Sequence, residues 1–173
     1  MTETTIKLKF PISKEDVLKL HINDRVFISG KIFCGRDAVL PKIVKMIEND
    51  EIKNASFNLE GGLIFHTAVS CAGVGPTSSN KQEIEESMEV LSKGGIRMHL
   101  GKGALKSETV KILEENNSVY AVIPPVTALL KNNVISQKVV AFPELGMEAL
   151  YELEVRDYPA VIAVAQGKSI YDR

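Results

Sequence analysis

"GLIFHTAVSCAGVGPTSSNKQEIEESMEVLSKGGIRMHLGKGAL", residues 62–105, carries the pattern that decides the fold. It opens on the apolar run "GLIFHTAV", a candidate buried strand. From Asn80 to Ser92 the apolar positions Ile84, Met88 and Leu91 recur at helical spacing, the mark of an amphipathic helix. "GIRMHL" (95–100) is a second strand. Strand, helix and strand in succession argue a layered α/β domain with a mixed, partly parallel sheet and flanking helices.

The alternation continues on both sides. Upstream, "TIKLKF" (5–10) alternates like a strand and stops at Pro11, and "SKEDVLKL" is a short helix with Ser13 as N-cap. "RVFISGKIF" (25–33) is a long strand with Gly30 as a bulge, and Asp37 to Asn49 carries a helical stripe with Pro41 near its first turn. Downstream, Ser107 to Asn116 is a helix, "VYAVI" (119–123) a strand and "VTALLKNN" (126–133) a helix. "KVVAF" (138–142) is a short strand, and "ALYELEV" and "AVIAVA" are two strands either side of Asp157–Pro159. The strand-rich ends predict an added β layer or a small barrel. No repeat or linker divides the chain, so residues 1–173 are expected to form one domain.

Composition removes several classes of function. With 45% hydrophobic residues and 25% charged, the chain can bury a core without disulfide or metal staples. A net charge of −1 supplies no field for nucleic acid or an anionic membrane. No apolar run approaches eighteen residues and no secretory signal is evident, so the expected compartment is cytoplasmic. The two cysteines, Cys34 and Cys71, make no CxxC pair, and both four-cysteine zinc sites and self-sufficient iron–sulfur sites need more ligands. Any cluster in an active complex would come from another chain.

Three loops carry cations. Ser79, with Gln82 three residues on, fits a capping box, which puts Lys81 in the first helical turn, where the helix dipole disfavours a cation. Lys81 either points into water or joins an anion site with the hydroxyls of Thr77, Ser78 and Ser79 and the backbone N–H groups around them. "CGRDAVLPK" (34–42) puts Arg36 at another strand-to-helix corner, and "LGKGAL" (100–105) sets Lys102 between glycines. Arg36 is either a ligand-binding cation or a helix-start residue paired with Asp37, and Lys102 either a ligand contact or a solvated turn lysine. Cations on loops after parallel strands gather where such sheets bind ligands, an arrangement suited to a small dianion. The Walker pattern fails twice in "GGIRMHLGKGA", in spacing and in the glycine after the lysine. His21, His66 and His99 look isolated, Cys34 and Cys71 look like buried apolar residues, and the acidic run around Glu83, Glu85, Glu86 and Glu89 reads as a solvated face.

"GRD", "GPTSS" and "GKG" at these spacings resemble the β subunit of class I fumarate hydratase, a family that includes the L(+)-tartrate dehydratase β subunit and the C-terminal domain of single-chain iron–sulfur fumarases. The likeness runs from "PISKEDVLKLHINDRVFISGKIFCGRD" to "FPELGMEALYELEVRDYPAVIAV". It implies a swivelling β/β/α domain and an α subunit that holds a [4Fe–4S] cluster on three cysteines, with the active site between the subunits. By motif, Thr77 matches the family's catalytic base, Arg36 the arginine that binds a substrate carboxylate, and Lys102 the lysine after the next strand; Ser78 lies beside Thr77 in the same motif. Lys81 stands where the family's "GPTTSxRM" has arginine, and the histidine of "GRDxAH" is replaced, with Leu40 near its place.

The resemblance implies interconversion of (S)-malate and fumarate by a heteromer with two copies of each subunit. Tartrate dehydration is the near alternative, and a non-catalytic anion-binding or assembly module is the alternative of another class. The proton removed sits on carbon next to a carboxylate, so the developing aci-carboxylate dianion needs strong positive neighbours. Lysine at position 81 keeps the charge but loses the fork that grips a carboxylate.

Overall fold

The computed structural model describes residues 5–67, 81–123 and 133–172, with residues 81–84 described by backbone alone. Strand β1 (Thr5–Phe10) leads through α1 (Lys14–Leu18) to β2 (Arg25–Gly35) and α2 (Leu40–Glu48). β3 (Leu63–His66), α3 (Lys81–Lys93), β4 (Met98–Gly101), α4 (Ser107–Glu115) and β5 (Val119–Val122) follow. The chain ends in β6 (Val134–Ala141), a 3-10 segment at Pro143–Glu148, β7 (Leu150–Ala165) and the short β8 (Lys168–Ser169).

β1 to β5 run parallel to one another, in order β1-β2-β3-β4-β5. β7 then runs antiparallel to β5 along one edge and to β2 along the other. These pairings close a ring, β2-β3-β4-β5-β7, with β1 attached to β2 and β6 to β7. The added β layer or small barrel expected from the strand-rich ends takes a different form: the central parallel strands close into the ring, and the ends contribute β7 to it and β1 and β6 to its flanks.

Residue alternation explains the closure. Leu63, Phe65, Met98, Leu100, Val119 and Ala121 share one core cluster with inward residues of β2 and β7. Between them, Ile64 packs with α2 residues Leu40 and Ile43, and Tyr120 with α4 residues Val110 and Leu113. Strands covered on both faces need apolar residues at successive positions, which is why "GLIF" and "VYAV" read as continuous runs. Ser13 caps α1, as the sequence predicts, and the cap is a reciprocal capping box with Asp16. Gly30 sits at a register shift in the β2–β7 ladder with φ +100, and a Cβ there would come within 2.5 Å of the Phe10 carbonyl oxygen. It is the expected bulge.

Two expectations need correction. The tail is one sixteen-residue strand, β7, not two. Asp157 takes φ 49, but the backbone there stays satisfied: its N–H donates to Ser29 Oγ at 3.0 Å, and Asn133 Nδ2 donates to the carbonyls of Arg156 and Asp157. The apparent turn is a bulge. β6 also starts earlier than "KVVAF", at Val134; its exposed, partly polar face hides it from a hydrophobic pattern. The helix expected at 126–133 lies outside the described residues apart from Asn133. No helix among the described residues is long and apolar enough to cross a membrane.

Candidate active site

The parallel strands end level with one another: Gly35 pairs with His66, Phe65 with Leu100, and Gly101 with Val122. Arg36 follows β2 directly and Lys102 follows β4 directly, so both lie at the carboxyl edge of the ladder. Between them β3 ends at His66 and leads into residues 68–80, which hold the Thr77–Ser78 motif. Thr77, Ser78, Ser79 and Cys71 lie outside the described residues. Lys81 is the first residue of α3, but its side chain is not among those described. The structure therefore brings Arg36 and Lys102 to one edge, the edge from which the strand before the motif loop departs.

Arg36 is held through its head group. Its Nε donates to Glu148 Oε1 at 2.7 Å, across 112 positions of sequence. Sequence reasoning missed Glu148, although it stands in "FPELGMEAL", part of the stretch that carries the family likeness.

Lys102 is exposed, and its loop is held through the main chain. Tyr120 donates its phenol proton to the Gly103 carbonyl at 3.1 Å. Burial, reinforced by Tyr171 and Glu85, raises the Tyr120 phenol above its ordinary range and keeps it a donor. Gly101 makes room for this contact, since a Cβ there would meet Tyr120 Oη at 3.1 Å. At the far end of the loop Glu85 Oε1 accepts from Lys106 N at 2.7 Å and from Thr109 Oγ1 at 2.8 Å. Glu85 is only 8% exposed, so the solvated-face expectation fails for this residue, although Glu86 is exposed. The physical reason is that Lys106, at the N-cap of α4, offers no side-chain cap. A carboxylate from α3 satisfies the helix start and meets the positive end of its dipole.

The histidines also differ from expectation. His66 and His99 are not isolated: His66 Nε2 and His99 Nδ1 share a hydrogen bond at 3.0 Å, and His99 Nε2 meets Ser92 Oγ at 2.9 Å. Both rings are buried and stacked. Burial first, then His66, pushes the His99 pKa well below the ordinary histidine value, so His99 is neutral at pH 7. One signal was available in the sequence, for each histidine sits near the end of a strand that enters a motif loop. His21 is exposed.

The donor set does not fit an iron–sulfur cluster. The sequence has two cysteines, and Cys34 is fully buried with its thiol pushed up by desolvation, as an apolar core residue. Among the described residues no three His, Cys, Asp or Glu side chains are grouped to hold a metal ion. The described residues of this edge supply charge and orientation, from Arg36 held at its head group and Lys102 carried on a braced loop.

Comparison with known proteins agrees with the resemblance read from the motifs. The Fumarase C-terminus family model matches residues 1–173. A Methanocaldococcus jannaschii protein, provisionally named L(+)-tartrate dehydratase subunit beta, is 35% identical over 93% of this chain and 88% of its own length. Fumarate hydratase 2 of Leishmania major is 27% identical over 99% of this chain, which spans only 32% of that enzyme. The L(+)-tartrate dehydratase subunit beta of Shigella sonnei is 23% identical over 91% of this chain and 81% of its own length.

Proposed function

We propose, for a chain that belongs to the Fumarase C-terminus family, that residues 1–173 act as one β-subunit domain of a hydro-lyase interconverting (S)-malate and fumarate plus water. The active site is shared with an α subunit that carries the [4Fe–4S] cluster, two copies of each subunit assemble, and the complex works in the cytoplasm. The swivelling β/β/α form of the family belongs to the same proposal. The observation that carries the reading is the common carboxyl edge at which Arg36 and Lys102 follow parallel strands, beside the strand that leads to Thr77 and Ser78.

Each residue has a distinct task. Arg36 and Lys102, with Lys81 and Ser78, bind and orient the substrate carboxylates. Thr77 takes the proton from the substrate carbon next to a carboxylate as the C–H bond breaks. The electron pair passes into that carboxylate as an aci-dianion and then forms the carbon–carbon double bond as hydroxide leaves the neighbouring carbon. An alcohol is a poor base at neutral pH, so Thr77 depends on these cations to favour its deprotonated form. When bound in the partner, the cluster supplies Lewis acidity.

A second reading, L(+)-tartrate dehydration, is favoured by the M. jannaschii relative, which this chain matches over most of both lengths. The two substrates differ by one hydroxyl. The test is to reconstitute this chain anaerobically with its cluster-bearing partner and assay (S)-malate, fumarate and L(+)-tartrate side by side. Turnover of none of them by an assembled complex would reject the hydro-lyase reading. Thr77→Ala is expected to abolish turnover while assembly persists, and turnover at the wild-type rate would remove Thr77 from the mechanism.

A further inference from the structure

The ion pair between Arg36 and Glu148 joins a motif residue to a segment 112 positions away, and at 26% and 35% exposure the two side chains are part-buried. It does not help attract a dianion, because a carboxylate beside Arg36 lowers the local positive potential. What a 2.7 Å bond to Nε does provide is direction, for it restrains the orientation of a guanidinium whose usefulness lies in its planar fork.

The segment that presents Glu148 is built to hold still. It spans Pro143–Glu148, between β6 and β7, and is entered through Phe142 in the left-handed region at φ 54. A bulky residue there is strained, and such strain persists where the surroundings over-determine it. Phe142 and Leu145 pack against the cluster that contains Val39, Leu40 and Ile43. The Lys42 ammonium lies 5.6 Å from the centre of the Phe142 ring, and Tyr151 donates to the Gly146 carbonyl at 3.3 Å. The segment is thus fastened to α2, the helix that begins just after Arg36.

We infer that Glu148 is a positioning residue for Arg36, helping to hold its guanidinium in the orientation that receives a substrate carboxylate. The inference rests on the proposed role of Arg36 as a carboxylate anchor. The test uses the complex reconstituted with its partner and (S)-malate as the probe. Glu148→Ala should raise KM roughly tenfold or more, with kcat and the melting temperature little changed. Glu148→Gln keeps an acceptor for Nε and should restore KM to within about threefold of wild type. The double variant Arg36→Ala/Glu148→Ala should be no worse than Arg36→Ala alone, because the two act as a unit. In 15N NMR of the chain, the Arg36 Nε–H signal should be slow to exchange in wild type and lost in Glu148→Ala.

A wild-type KM in Glu148→Ala, with KM raised in Arg36→Ala, overturns the inference and leaves the anchor role standing. An unchanged KM in Arg36→Ala overturns the anchor role itself, and the inference with it. If Glu148→Ala does not assemble, Glu148→Asp decides: one methylene shorter, it should still raise KM, and a wild-type KM there also overturns the inference.

Discussion

Arg36 and Lys102 occupy equivalent places, each directly after a parallel strand, and the contacts described around them differ in kind. Arg36 is gripped at its head group by Glu148. The loop that carries Lys102 is gripped along its main chain, through the Gly103 carbonyl by Tyr120 and through Lys106 N by Glu85. The difference follows from the two cations. A guanidinium recognises a carboxylate by the direction of its fork, so its plane must be set. An ammonium is a compact charge with rotatable donors, and it needs only to be brought to the right place.

The largest expected effect tests the main-chain grip. Glu85→Ala leaves Lys106 N and the Thr109 hydroxyl without their acceptor, which should cost about 2–3 kcal/mol in denaturant unfolding. Unfolding at the wild-type midpoint would mean that the start of α4 does not depend on α3. The next effect sets the two cations against each other. Arg36→Lys, which loses both Nε and the fork, should raise KM for (S)-malate about tenfold, equivalent to about 1.4 kcal/mol, whereas Lys102→Arg should change it by less than about threefold. Equal losses at both positions would erase the distinction drawn here. The smallest effect is expected from Tyr120→Phe, which removes one hydrogen bond while keeping the ring, at about 1 kcal/mol of stability. Lys102→Ala combined with Tyr120→Phe should then show no KM loss beyond that of Lys102→Ala alone, and an additive loss would separate Tyr120 from the lysine loop.

What the sequence made legible was local. Strands β2 to β5 and helices α2 to α4 announce themselves because covered strands require unbroken apolar runs and helices between them require a periodic stripe. The motif loops are legible as short glycine-rich words at strand ends. What stayed hidden depends on partners far along the chain. Asp157–Pro159 looks like a break between strands until Ser29 and Asn133 are seen to satisfy its backbone. Glu85 looks solvated until the uncapped start of α4 is placed against it, twenty-one positions from Lys106. His66 and His99 look solitary until neighbouring strands bring their rings together, thirty-three positions apart. Glu148 lies 112 positions from Arg36, and no pattern in residues 34–42 announces it.

The closure of β2-β3-β4-β5-β7 has a consequence for selectivity. An open sheet can splay at one end by changing its twist, but a hydrogen-bonded hoop cannot widen its mouth without giving up ladder bonds. The backbone points from which Arg36 and Lys102 leave this rim are therefore held at a set spacing. On the proposed reading, a diacid longer or shorter than malate would have to be met by the reach of the side chains, since the strands beneath them do not spread.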